Sequence, residues 1–317
     1  MKKLIIYISF LLLFSCFRDT DLDLNFKEKV VVYGIISPGV PPEIFVYKSI
    51  PFNANDQEVN FIKNANVYLE TEGIRFELTG RNYYTDNFFN GLYNPDFGYD
   101  SVLVYSYTGE VPFISGKTYL LRVVTDLGEV TATTTIPPPV NLDDVVLERE
   151  EKVSSNGQPY FEDKLLFNFQ DPAKIKNYYK YSVQYNQEVI VPKEEIDTIT
   201  GLPITILDTN ILRYRYLHRT YLEDIDWDGQ AHTFSFLISD KINLFNNPDY
   251  VFQVRTALRN YHPDIITYKN SVDDEGEEDS FTDPFTEPMP IKSNINGGLG
   301  IFSSYCESNP VFITYNP

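Results

Sequence analysis

Short runs of β-branched and aromatic residues, each closed within a few positions by Gly, Pro, Asn or Asp, recur along this chain and leave almost no stretch with a helical period. That spacing favours packed sheets over a helical bundle, because such residues fit a pleated, half-buried surface. Val30-Val31-Val32-Tyr33-Gly34-Ile35-Ile36 is a buried-type strand ended by Ser37-Pro38-Gly39. Glu43–Tyr47 and Ala65–Glu70 follow, and in the second the alternation puts Val67 and Leu69 on one face. Thr118–Val124 and Val130–Ile136 flank Asp126-Leu127-Gly128-Glu129, which predicts a hairpin with a glycine-containing turn.

Pro137-Pro138-Pro139 closes this first set, since proline cannot donate to a ladder and stiffens a connection. A second set has its clearest strands at Lys164–Phe169, Tyr178–Tyr185, His232–Ile238 and Tyr250–Thr256. Between Glu188 and Leu212 the chain is polar and turn-rich, which predicts a long excursion at one edge. Pro263–Val272 is the one helix, with Pro263 suited to its first turn, and the acidic run Asp273–Asp279 behind it reads as a solvated loop. Ile295–Phe302 reads as a strand entered through a glycine turn. The expected class is all-β: two β-sandwich domains of the immunoglobulin or fibronectin kind over residues 29–137 and 138–317, with one short helix near the C-terminus.

The N-terminus reads differently. Lys2 and Lys3 precede an apolar run from Leu4 to Phe14, and the small Ser15 precedes Cys16. Charge, a short apolar core and a small residue make a secretory signal, and the run is too short to span a membrane, which takes about 20 residues. A cysteine just after the small residue is the pattern of a bacterial lipoprotein, in which the thiol takes a diacylglycerol before cleavage. Residues 1–15 are therefore expected to be a lipoprotein signal peptide and residues 16–28 a tether lipidated at Cys16. Asp19, Asp21 and Asp23 stand directly behind that cysteine. Such an acidic stretch resembles the signal that exports lipoproteins to the outer face of an outer membrane; periplasmic retention on the same membrane is the alternative address.

Composition narrows the partners. The formal charge of -19 disfavours phosphate backbones, which need clustered Lys and Arg, so nucleic acid is not expected. With Cys16 acylated, Cys306 has no partner for an intrachain disulfide, and its apolar, tyrosine-rich setting suits a small buried hydrophobe. Aromatics make up 15% of the chain, spread along its length, which points first to sheet packing and second to a contact face for carbohydrate or protein.

Asp224-Ile225-Asp226-Trp227-Asp228-Gly229 is the sharpest chemical pattern. Alternate aspartates before a glycine match the opening of a calcium-binding EF-hand loop, making Asp224, Asp226 and Asp228 calcium candidates. The twelfth position is Ser235, so the bidentate glutamate is missing, and a polar turn launching a strand is the competing reading. No other cofactor is implied. His218, His232 and His262 form no zinc motif, and neither a Gly-x-Ser-x-Gly elbow nor a Cys-x-x-Cys pair occurs, so the chain is not expected to be an enzyme.

The order of several features resembles one family. Cys16, Val30–Gly34, Ala65-Asn66-Val67, Gly116–Tyr119 running to Ile136-Pro137, and Asp228-Gly229 fall in sequence. The closing Asp283-Pro284-Phe285-Thr286-Glu287-Pro288 and Ser293–Phe302 are the most specific part. Together they resemble the Bacteroidota surface lipoproteins catalogued as domain of unknown function 4249. The resemblance implies a lipid-anchored, all-β protein of the outer membrane, often encoded beside a TonB-dependent transporter, and it implies no reaction. The expectation is a non-catalytic binding or accessory protein, with a structural or adhesion module as the first alternative and a secreted hydrolase as the second; a small-molecule or glycan ligand is left open. Metabolic labelling with a clickable fatty acid should mark the wild-type protein and leave Cys16→Ala unmarked.

Overall fold

The computed structural model describes residues 26–50, 60–85, 102–196, 203–217, 221–238, 252–276 and 291–315. Cys16, Asp19, Asp21, Asp23, His218 and the Asp283–Pro288 motif lie outside the described residues.

The N-terminal strands are β1 (Val30–Ile36), β2 (Ile44–Lys48), β3 (Asn66–Thr71), β4 (Ile74–Thr85), β5 (Val102–Thr108), β6 (Thr118–Thr125) and β7 (Gly128–Thr135). There follow β8 (Leu142–Val153), β9 (Pro159–Gln170), β10 (Tyr178–Ile196), β11 (Pro203–Leu217), β12 (Leu222–Glu223), β13 (Ala231–Leu237) and β14 (Phe252–Tyr261). The single described helix, α1 (Pro263–Gly276), then precedes β15 (Leu299–Glu307) and β16 (Val311–Tyr315). The class is all-β. No described helix is long and apolar enough to cross a membrane.

Thirteen strands hydrogen-bond in the order β11-β10-β14-β15-β1-β2-β5-β4-β3-β6-β7, with β12 on β10 and β16 on β14, while β13-β9-β8 form a separate sheet. β4 makes a corner in the large sheet: Ile74–Leu78 pair with β3, and Thr79–Thr85 pair with β5. The bend folds β3, β6 and β7 back over β1, β2 and β15. Between these layers lies a core that includes Val32, Val46, Leu69, Leu121 and Val123, all essentially sealed from solvent. A second core fills the space between the three-stranded sheet and β10, β14 and β16, with Leu165, Phe167, Phe169, Tyr179, Val183 and Leu258 at its centre. Each such side chain contributes about 1.5–3 kcal/mol through burial.

β15 connects the two halves. It pairs in parallel with β1, from Val31↔Leu299 to Ile36↔Ser304, and antiparallel with β14 through Arg259↔Glu307 and Tyr261↔Tyr305. Ile295, Phe302 and Cys306, from the end of the chain, thereby enter the core built by its beginning. Cys306 is a free, buried thiol whose pKa burial pushes up, so it behaves as a packing residue. The approach of β15 to β1 depends on glycine. At Gly300, with φ +103°, a Cβ atom would lie 2.0 Å from the Val32 carbonyl oxygen.

Two expectations need correction. The Glu188–Leu212 stretch is not a turn-rich excursion: β10 and β11 pair without a break from Ser182↔Leu217 to Ile196↔Pro203, forming a long ribbon at the sheet edge. Cross-strand pairing satisfies backbone polar groups whatever the side-chain polarity, so a polar composition did not prevent strands. The helix also runs past Val272 to Gly276 and absorbs the start of the acidic run. Once nucleated, a helix extends readily through residues that tolerate solvent. Ile265 and Ile266 hold it against Tyr261 and Ile301.

Gly300→Ala should destabilise the protein by roughly 3 kcal/mol or more, because strained φ and a backbone collision add. Gly39→Ala, at φ +75° but with nothing within 4 Å of the new methyl, should cost about 1 kcal/mol. Urea midpoints of the two variants measure the difference.

Candidate functional site

Strand β9 ends at Gln170, and residues 171–177 turn the chain into β10. A second turn, residues 224–230, joins β12 to β13. The two turns are clasped by carboxylates. Asp171 accepts from the Tyr179 hydroxyl at 2.6 Å, from Asn177 Nδ2 at 3.3 Å and from the Gly229 backbone N–H at 2.8 Å. Asp224 accepts from the Asn177 backbone N–H at 2.8 Å, and Asp228 from that of Lys174 at 2.7 Å. The 224–230 turn closes on itself through Trp227 N–H to the Asp224 carbonyl and Gln230 N–H to the Trp227 carbonyl.

One oxygen from each of Asp171, Asp224 and Asp228 falls within 4.8 Å of the others. Asp171 and Asp224 are 2% exposed, and Asp228 is at the surface. These three are the residues that could hold a cation. The sequence pattern placed Asp226 in that set, but its side chain is exposed and outside the cluster. Asp171 takes its place. It comes from a different hairpin, and the only local hint was an aspartate closing a strand before Pro172.

An aromatic stack backs the clasp. Trp227 lies parallel to His232 at 4.2 Å and stacks on Tyr179 at 5.7 Å, with Phe169 meeting both Trp227 and Tyr179 edge-on. Burial raises the pKa of Asp224, and the neighbouring Asp171 charge adds to the rise. Burial lowers the pKa of His232, against an opposing pull from Asp171. Burial and Asp171 together hold the Tyr179 proton firmly on its oxygen. Tyr179 is thus a fixed donor, and the carboxylates are fixed acceptors joining two turns. His262 sits elsewhere, at the start of α1, where its Nδ1 accepts from the Asp264 N–H at 3.3 Å.

The opposite end of the same core projects. Arg149 Nε and Nη2 each reach a carboxylate oxygen of Asp163 at 2.7 Å, and the Tyr315 hydroxyl donates to it at 2.8 Å. Beyond this bridge, in which Asp163 is buried and Arg149 exposed, the β8–β9 hairpin continues with no cover among the described residues. Val153 is 71% and Phe161 56% exposed, on the strand face that carries Leu165 and Phe167 inward. The other face carries a charged ladder, with Glu162 between Lys152 at 2.5 Å and Lys164 at 2.7 Å. The β10–β11 ribbon also outruns its sheet, for β10 last pairs with β14 at Tyr185↔Val254. Phe169 meets Tyr179 and Phe167 meets Tyr181, so β9 and β10 run in opposite directions and the described lengths of both ribbons extend towards one end.

Fold and site together define an all-β protein with a clasped base and projecting hairpins. A family model for a domain of unknown function (DUF4249) matches residues 18–309, and the chain belongs to that family. No curated protein and no solved structure matches it.

Asp171→Ala should cost about 3 kcal/mol, because the buried Tyr179 hydroxyl and Gly229 N–H lose their acceptor. Isothermal titration with Ca²⁺ should give no heat, since the carboxylates already serve neutral donors and the bidentate glutamate is absent; a calcium-dependent rise in melting temperature, lost in Asp171→Ala, would reverse that assignment. His232 is neutral when folded at a pH where the unfolded chain protonates it, so the unfolded state binds more protons there. Stability should fall as pH drops from about 6.5 towards the lower folded value. His232→Gln should flatten that slope in thermal melts, and His262, whose pKa burial also lowers, contributes in the same direction.

Proposed function

We propose that this protein is a lipid-anchored component of the outer envelope that binds a partner or ligand without changing covalent bonds. Its anchor is the diacylglycerol on Cys16, with Asp19, Asp21 and Asp23 directing it to the cell surface, and its partner is an outer-membrane TonB-dependent transporter. The observation that carries the binding reading is the uncovered continuation of the core face on the β8–β9 hairpin. An apolar strip exposed on a rigid two-stranded arm has the character of a contact surface. The rest of the molecule serves as its mount: the Arg149–Asp163–Tyr315 bridge fixes the arm where it leaves the core, and the Asp171 clasp fixes the opposite end. The two hydrophobic cores further support a two-sandwich architecture of the immunoglobulin or fibronectin kind, joined through β15.

Purification of the acylated protein from solubilised envelopes should bring the transporter with it. Val153→Asp should remove the transporter from the eluate while leaving the melting temperature within about 2 °C, because that side chain is 71% exposed. Recovery of the wild-type protein alone would count against the partner.

A further inference from the structure

The end of the molecule where β1 and β15 begin carries a second surface of different chemistry. Phe26, Lys27, Lys29, Ser49, Ile50 and Leu299 line a shallow, open groove there. Phe26 is 42% and Ile50 46% exposed, and Lys27 and Lys29 reach solvent beside them. The segments flanking β1 and β2 are tied together there: the Ser49 N–H donates to the Lys29 carbonyl at 2.9 Å, and the Lys29 N–H donates to Ser49 Oγ at 2.9 Å. Leu127, 40% exposed in the β6–β7 turn, is at the same end, because β7 meets the strand-entry turn through Thr131 and Asn296.

The sign of the charge matters here. The whole chain carries -19, yet both charged side chains lining this groove are lysines. The neighbouring Glu28 is engaged by Lys48 at 3.1 Å. Exposed apolar side chains beside two lysines suit an interface in which stems lie in acyl chains and ammonium heads meet anionic headgroups. Chain length brings this end to such an interface. Residues 17–25 separate Cys16 from Phe26, a tether that spans at most about 35 Å when fully extended.

We propose that this end of the body rests on an anionic lipid leaflet, with Phe26 and Ile50 at the acyl boundary and Lys27 and Lys29 on the headgroups. The surface rests on the lipid-anchor reading, and it orients the β8–β9 arm instead of leaving the body free on its tether.

The test uses the full acylated chain in phosphatidylcholine vesicles with and without phosphatidylglycerol. Phe26→Trp supplies a probe, and Ile74→Trp supplies a control, since Ile74 is 58% exposed at the far end of the sheet. With the wild-type signal of Trp227 subtracted, brominated lipid should quench the F26W probe at least threefold more than the I74W control, and only when phosphatidylglycerol is present. K27E combined with K29E should bring the F26W quenching down to the control level without changing detergent-phase partition. Equal quenching of the two probes, or no response to the lysine substitutions, overturns the surface while partition still upholds the anchor. Loss of the wild-type protein from the detergent phase overturns both.

Discussion

Parallel pairing of β1 with β15 is the contact that completes the N-terminal core and joins it to the C-terminal half. It joins the first described strand to one of the last, so the chain must close a loop of more than 260 residues before the N-terminal core is complete. The entropic cost of that closure grows only slowly with length, but the search makes non-local pairing slow. What makes the pairing specific is close approach. Gly300 lets β15 lie where any side chain would strike the Val32 carbonyl, and Phe302 and Cys306 then fill the N-terminal core from the C-terminal side. A parallel strand between β14 and β1 also merges what would otherwise be two sheets into one.

From that frame the molecule acquires a polarity. At one end of the second core the Asp171 clasp and its aromatic stack draw two turns together with short, mostly buried hydrogen bonds. At the other, the hairpins outrun the layers that cover them, and the buried Asp163 marks where support stops. Rigid base and projecting arm are two consequences of one feature, the unequal lengths of strands that share a core. A binding surface on such an arm needs no pocket.

Much of this was legible as pattern. β1 was expected over the residues it occupies, the hairpin of β6 and β7 followed from its glycine turn, and Pro263 marked the start of α1. β4 was missed because a strand that changes partners midway carries two overlapping alternations. β8 was missed because an edge strand with mostly exposed side chains lacks the apolar period that reveals buried ones. The first eight residues of β10 were expected, but its continuation past Tyr185 and all of β11 were missed for a related reason, since their pairing resides in the backbone. The candidate site was half legible: Asp224 and Asp228 stood in a recognisable motif, but Asp171 came from another hairpin and displaced Asp226.

Sequence alone determined the all-β class, the one described helix, the acidic balance and an N-terminal pattern that reads as an export and acylation signal, because each is local or additive along the chain. Only the tertiary structure decided that the last strands complete the first core, which aspartates meet, and where apolar residues remain uncovered. Those outcomes depend on which distant backbones can approach one another. The physical determinants are volume exclusion at Gly300 and strand register, and neither is expressed in the composition of any one segment.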